Sequence, residues 1–220
     1  VYKRQILSTL APSLKLSMDA EELPFSVKPE KKLSVSDVLA FFRQTYEGTE
    51  LENIRNLKVV EKDRKTGKTD TIISPAANPW MRPDEIKMLN GIRENAVTSN
   101  RNIAVPQCAY ATVIQLRSWL PDAVGGVCWF SMDNPGQSPR VPIFCGTTDL
   151  PAIYKICGNH RYREDAALWH YRRANKLATV RWGNARGIME KNILHFEKKG
   201  LSELPTVEAT YQRILKEEGE

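Results

Sequence analysis

The sequence predicts an α+β fold in which an antiparallel sheet packs against helices, and two features of the chain carry this prediction. Residues 101–150 contain three short apolar segments separated by turn-forming residues. From Asp165 onward, apolar residues recur at helical spacing. Strands joined by short connections are typical of an antiparallel meander, and helices that follow such a meander are typical of the α+β class.

The predicted strands are residues 110–116, 127–132 and 141–146. In the first, apolar residues flank Thr112 and Gln115, which suits a pleated strand covered on at least one face. The second is short and apolar, which favours a buried strand over a helix. Proline, aspartate and glycine reverse the chain within residues 118–126, and the segment Asp-Asn-Pro-Gly follows the second strand. This pattern places Asn134 where the middle strand of the meander ends.

Helix-start signals mark two further elements before the meander. Ser34 is predicted as an N-cap, with Asp37 three residues later, and the apolar face of this helix leads to Gly48 as its end. Residues 57–74 suggest a hairpin around residues 65–68. Pro83 begins a short helix whose first turn is acidic.

The C-terminal part of the chain is predicted to be helical after a loop or short helical connector at residues 149–163. The predicted apolar stripe consists of Leu168, Tyr171, Ala174, Leu177, Ala178, Trp182, Ala185, Met189, Ile193 and Phe196. Lys198, Lys199 and Gly200 are interpreted as a helix end with its cap. A last helix is predicted from about Ser202.

Composition excludes several classes of protein. With 220 residues, 41% of them hydrophobic, the chain can fill one domain. No apolar run approaches the length that crosses a bilayer, so we expect no membrane partner. Residues 161–199 contain ten basic and four acidic residues and so carry the whole net charge of +6. No nucleic-acid motif accompanies this charge, so we expect a solvated helix face and no nucleic-acid partner. A homo-oligomer is compatible with the sequence.

Side chains that could carry chemistry are few. The spacing of the four cysteines, Cys108, Cys128, Cys145 and Cys157, is not that of a zinc site. The sequence leaves open whether any two of them form a disulfide. Cys108 is the weakly favoured thiol for a reactive role, and we expect surface or packing roles for His160, His170 and His195. We predict no metal and no cofactor, because no metal-ligand spacing, phosphate loop or dinucleotide motif occurs. The residues by themselves therefore do not indicate which reaction the protein catalyses.

Residues 1–5, VYKRQ, are what one reading frame of a common sequencing-library adapter encodes. We therefore expect these residues to be foreign and residues 6–220 to be the C-terminal part of a single domain. The sequence leaves the cellular compartment undetermined, either secreted or periplasmic, or cytoplasmic.

Several blocks in order resemble one enzyme family. They are VSDVLAFFRQTYEGT, RNIAVPQCAYATVIQLR, LPDAVGGVCWFSMDNPGQSPRVPIFCG and ICGNHRYREDAALWHYRRANKLATVRWG. Together they resemble the cysteine dipeptidases among the N-terminal-nucleophile hydrolases, relatives of penicillin V acylase and bile salt hydrolase, over residues 33–204. The resemblance implies an αββα sandwich of two antiparallel sheets between helices, of which this chain would form a part.

The resemblance also implies a mechanism. In that family an N-terminal cysteine thiolate attacks the peptide carbonyl of a short peptide substrate, and its own α-amino group handles the proton. Asn134 matches the asparagine that relatives use to stabilise the oxyanion. The alternative is that Asn134 merely forms an Asx-turn before Pro135.

Because the chain starts with Val1, and no internal cysteine has a free α-amine, we expect this chain to be inactive although its parent enzyme is a peptidase. Two rival functions stay open. One is an amidase acting on acylated amines such as penicillins or bile salts. The other is a non-catalytic binding module that uses the basic helices.

Overall fold

The computed structural model describes residues 2–17, 22–158 and 160–218. The chain divides into two compact units, the first formed by Val1–Ser74 and Pro79–Val105 and the second by Pro75–Asn78 and Pro106–Glu220. The described residues form helices and two antiparallel sheets, which confirms the α+β class.

The described residues of the first unit form three helices and a hairpin. Its elements are α1 (Tyr2–Leu10), a 3-10 turn (Pro12–Leu14), α2 (Val35–Arg43), β1 (Lys58–Lys62), β2 (Thr69–Ile73) and α3 (Pro83–Ile92). The hairpin prediction is confirmed, because β1 and β2 pair antiparallel with Lys62 opposite Thr69. The helix predicted from Pro83 is also confirmed.

Helix α2 begins as predicted and ends earlier than predicted. The Asp37 backbone N–H donates to Ser34 Oγ over 3.2 Å, and the Ser34 N–H donates to Asp37 Oδ2 over 2.9 Å, so the capping box is confirmed. The prediction that Gly48 ends the helix was wrong, because Gln44 turns the backbone to an extended ψ of 130°. Tyr46 is nevertheless 1% exposed, and its hydroxyl donates to the Arg101 carbonyl over 3.0 Å.

The second unit holds the predicted meander and the long helices. Its elements are β3 (Tyr110–Leu116), the one-turn helix α4 (Asp122–Gly125), β4 (Gly126–Met132), β5 (Val141–Phe144), a 3-10 turn (Ala152–Tyr154), α5 (Ala167–Val180) and α6 (Trp182–Glu218). The order β3-β4-β5 with antiparallel pairing confirms the meander. The third strand ends at Phe144, two residues before the predicted end, where the Gly146 N–H bonds to the Ala123 carbonyl over 2.8 Å.

The two faces of this sheet differ in burial. Val127 and Trp129 of β4 are buried on the face that contacts α5 and α6. On the other face the side chains of Tyr110, Ile114 and Leu116 are 62%, 61% and 76% exposed. The sheet therefore has one face covered by helices and one apolar face open to solvent.

Three predictions about the C-terminal helices were wrong. The helical segment is interrupted at Arg181, whose φ of −140° and ψ of 64° lie outside the helical range. Gly200 is no cap, because α6 continues through it and through Pro205 to Glu218. A Cβ built on Gly200 would lie 3.0 Å from Pro142 Cδ, so this glycine allows close packing of α6 on the sheet.

The third correction concerns the apolar stripe. Ala174 and Phe196 are exposed, whereas the polar residues Asn175 and Glu197 are buried beside them. Glu197 Oε1 accepts from the backbone N–H of the fully buried Arg140 over 3.2 Å. None of the helices in the described part of the chain is both long and apolar enough to cross a bilayer.

Candidate active site

The site begins where β4 ends at Met132, as the sequence predicted for Asn134. Asp133 takes a φ of +62°, a left-handed conformation that aspartate tolerates better than most residues. The Gln137 N–H then donates to the Asn134 carbonyl over 3.0 Å, which closes a β-turn with Pro135 in its second position. The polar side chains of this turn are therefore fixed by the backbone directly after a sheet strand.

The Asn134 side chain is 1% exposed and makes two hydrogen bonds. Its Oδ1 accepts from the Gly136 N–H over 2.9 Å, which is the Asx-turn bond expected before proline. Its Nδ2 donates to Gln137 Oε1 over 3.0 Å. A primary amide has two N–H donors, and no described residue accepts the second. The Asx-turn is thus present, and it leaves one hydrogen of Nδ2 available.

Helix α5 holds the turn through Asp133, whose side chain is 3% exposed. Arg172 Nε donates to Asp133 Oδ1 and Asn175 Nδ2 donates to Asp133 Oδ2, each over 2.9 Å. Asn175 Nδ2 also donates to Ser138 Oγ over 2.9 Å. Arg172 and Asn175 are three residues apart and so lie on one face of the helix. A buried carboxylate with these partners is stabilised by its charge-assisted bonds.

The orientation of two amides in this network follows from its chemistry. Gln137 Nε2 donates to the Asn175 main-chain carbonyl over 3.1 Å, and a carbonyl can only accept. Gln137 Oε1 must therefore face Asn134, whose NH₂ end must be the donor. The Gly136 N–H, which can only donate, fixes the other end of the Asn134 amide. The orientation of each amide therefore follows from a partner that can only donate or only accept a hydrogen bond.

A cavity of about 400 Å³ lies beside the turn on the open face of the sheet. Its walls include Ala109, Tyr110 and Phe130 from the sheet region, together with Met132. The Ala109 carbonyl accepts the Asp133 N–H over 2.9 Å, so the cavity and the turn share their backbone frame. The residues after β5 that complete the cavity are Tyr154, Lys155, Ile156, Cys157, Gly158 and Leu168.

The other candidate groups lie outside the hydrogen-bonded network of the turn. The four cysteines are all thiols, namely Cys108, Cys128, Cys145 and Cys157, and Cys157 lines the cavity. Burial raises the pKa of the Cys128 thiol, and the nearby Cys145 raises it further. His160 is exposed, the His170 ring bonds to the Glu164 carbonyl and the His195 ring packs on Phe196. Over the described ranges, no cluster of histidine, cysteine and acidic residues could hold a metal ion.

Comparison with known proteins shows the family to which the chain belongs. The sequence profile of peptidase family C69 matches residues 3–195, which include the turn, both amides and the α5 residues that hold them. The chain therefore belongs to peptidase family C69.

A curated relative carries a more specific description. A protein described as a probable dipeptidase from Latilactobacillus sakei is 26% identical to the chain over 146 residues, which are 66% of this chain and 24% of that protein. The chain thus matches about a quarter of the length of that relative. No solved structure matches the chain significantly.

Sequence reasoning placed Asn134 at the end of the middle strand and did not identify its hydrogen-bond partners. Gln137, Asn175 and Asp133 are polar residues that become buried only through contact between the turn and α5. A signal for Asn175 exists in the sequence, because it occupies the helical position between Leu168 and Trp182 that the apolar pattern requires to be buried. The spacing alone cannot show that its partner would be Asp133.

Proposed function

We propose that this chain belongs to a cysteine-type dipeptidase of the N-terminal-nucleophile class, in which Asn134 donates a hydrogen bond to the oxyanion. Membership of peptidase family C69 and the relative described as a probable dipeptidase support the reaction class. The observation that carries the role of Asn134 is its buried amide with one N–H donor that no described residue uses.

In the proposed mechanism a cysteine thiolate at the mature N-terminus attacks the carbonyl of a short peptide with a free amino end. Its own α-amine takes and returns the proton, and water later releases the acyl group. The carbonyl oxygen becomes an oxyanion in each tetrahedral intermediate, and Asn134 Nδ2 donates to it. A neutral amide held rigidly in a dry site stabilises that charge with little reorganisation.

The fold proposed for the complete enzyme is the αββα sandwich. The open face of β3, β4 and β5 supports this, because its large apolar side chains at Tyr110, Ile114 and Leu116 are left exposed. A second antiparallel sheet packing face to face would remove them from water, and sheets in sandwiches pack about 10 Å apart. The cavity beside Met132 would then lie between the two sheets.

The cavity also supports a small substrate. Its volume of about 400 Å³ is near the lower end of the range of about 300–1,000 Å³ typical of small-molecule sites. We expect the substrate to occupy this cavity, which Met132 lines two residues before Asn134.

The test uses the protein expressed from the complete open reading frame. We expect it to hydrolyse unblocked dipeptides, to lose this activity on treatment with iodoacetamide, and to lose about 10²–10³-fold in kcat in the Asn134→Leu variant. We expect the 220-residue chain alone to show no turnover. Hydrolysis of penicillin V or conjugated bile salts in place of dipeptides would favour the amidase. Full kcat in Asn134→Leu would refute the oxyanion role.

A further inference from the structure

We infer that Gln137 is a positioning residue that holds the Asn134 amide in the orientation needed for oxyanion stabilisation. This inference rests on the proposed function of Asn134. It goes beyond that proposal because it assigns a role to a second side chain, one that need not touch the substrate. The supporting facts are the hydrogen bonds, the burial and the chemistry of the turn.

The Asn134 amide can turn about its terminal torsion unless its partners hold it. The terminal torsion of an asparagine side chain is broad and roughly two-fold, so the torsion alone does not fix which end faces a ligand. In the turn, Asn134 Oδ1 accepts from Gly136 and Nδ2 donates to Gln137 Oε1 over 3.0 Å. Removing the Gln137 acceptor leaves a single bond, about which the amide can tilt.

Gln137 is itself held by a hydrogen bond to α5. Its side chain is 3% exposed, and Nε2 donates to the Asn175 carbonyl over 3.1 Å. The bond ties Gln137 to helix α5, where Asn175 is 2% exposed. Gln137 therefore links a rigid helix to the Asn134 amide and uses one end of its own amide for each. A residue of this kind keeps a catalytic donor within the narrow angular range that electrostatic stabilisation requires.

One hydrogen of Asn134 Nδ2 remains without an acceptor among the described residues. With Oδ1 and one hydrogen of Nδ2 engaged, the direction of the second hydrogen is fixed by the planarity of the amide. The oxyanion must then form where this hydrogen points. Loss of the Gln137 bond would lower kcat through Asn134, while the binding of the ground-state substrate would be little affected.

The experiment compares variants of the enzyme expressed from the complete open reading frame in steady-state dipeptide hydrolysis. Gln137→Met removes both polar atoms while keeping a side chain of similar length. We expect its kcat to fall about 10–100-fold, less than removal of a donor itself, with KM changed less than about twofold. If this variant does not fold, Gln137→Asn, which is one methylene too short to reach Asn134, is measured with the same expectation.

Gln115→Met is the matched control. Gln115 is a half-buried glutamine in the same sheet that also accepts one side-chain N–H, from Trp129 over 3.1 Å, at the opposite end of β4. We expect its kcat to stay within about twofold of wild type. An equal loss in Gln115→Met and Gln137→Met would overturn the inference, because loss of any buried glutamine bond would then suffice.

A double variant separates positioning from general support. If Gln137 acts through Asn134, the variant carrying Asn134→Leu and Gln137→Met should have the kcat of Asn134→Leu alone within about twofold. Losses that multiply, an unchanged kcat in Gln137→Met, or a change confined to KM would each overturn the role of Gln137 and leave that of Asn134 intact. Full activity in Asn134→Leu would instead remove the proposed oxyanion role, and the positioning role with it.

Discussion

Two glycines of the same helix should respond oppositely to alanine. Gly187 and Gly200 both lie inside α6, where replacing glycine by alanine gains about 1 kcal/mol of helix propensity. A Cβ on Gly187 would have nothing within 4 Å. A Cβ on Gly200 would lie 3.0 Å from Pro142 Cδ and 3.3 Å from Trp129 Cζ3. Trp129 is fully buried, so this neighbour has little room to move.

The magnitudes decide the sign at each position. For Gly187→Ala the propensity gain acts alone, so the free energy of unfolding should rise by about 0.5–1 kcal/mol and the Tm by about 2–4 °C. For Gly200→Ala the same gain is opposed by overpacking, which costs about 1–3 kcal/mol in well-packed cores. We therefore expect Gly200→Ala to be less stable than the wild type by about 1 kcal/mol.

Urea denaturation of the 220-residue chain, followed by circular dichroism, measures both differences under the same conditions. The two variants share a helix and a substitution, so their propensity terms cancel in the comparison. If Gly200→Ala proves as stable as Gly187→Ala, the close contact between α6 and the sheet is not what requires a glycine at this position. The interpretation of Gly200 as a packing residue would then be refuted.

Three further predictions concern single residues. Ser34→Ala should cost about 1 kcal/mol of stability at pH 7 through loss of the α2 cap, and denaturation curves that show no loss would contradict the cap. Hydrogen bonds from Lys31, and to a lesser extent from Ser34, hold the pKa of Asp37 below its usual 3.8. The stabilisation that Asp37 contributes should therefore be complete above pH 3.8 and be lost below it. Burial raises the pKa of Tyr46 to about 12, so wild type should lose more stability than Tyr46→Phe as the pH rises from 10 to 12, and parallel curves would argue against this. Asn175→Leu should lower the free energy of unfolding by about 2 kcal/mol in urea denaturation, because the buried Asp133 carboxylate loses a hydrogen-bond donor. A loss below about 0.5 kcal/mol, which is typical of surface substitutions, would contradict this role of Asn175.

The elements that could be predicted from the sequence are those set by local signals. The meander, the hairpin and the start of α2 depend on alternation, turn residues and an N-cap, all of which act within a few residues. Asn134 was placed at the end of β4 for the same reason. These features need no knowledge of what packs against them, so the sequence was sufficient.

The elements that were mispredicted depend on contacts distant in sequence. Gly200 resembles a helix end when its neighbours along the chain are considered, and it becomes a packing position because Pro142 and Trp129 lie against it. Gly48 likewise resembles a helix end, yet the chain leaves α2 at Gln44, whose carbonyl accepts from the Ala104 N–H over 3.0 Å. A local signal cannot show that a distant segment imposes a different end.

The buried polar residues were missed for a more general reason. An apolar stripe is found by its hydrophobic members, so Ala174 and Phe196 were preferred to Asn175 and Glu197, although the polar pair is what the fold buries. Burying an amide or a carboxylate is favourable only when each polar atom finds a partner. Partners for the Asn175 amide and the Glu197 carboxylate come from Asp133 and Arg140, which lie tens of positions earlier in the chain.

The arrangement at the end of β4 is costly for a fold that needed stability alone. Asp133, Asn134, Gln137 and Asn175 are all at most 3% exposed, and apolar residues of similar volume often stabilise a core as well as or better than buried charged and polar groups do. Departures from the rule that interiors are apolar are expected where a site must hold a polar group in a fixed direction. The network ends on one amide hydrogen that no described residue accepts, so its bonds converge on the atom to which we assign the chemistry.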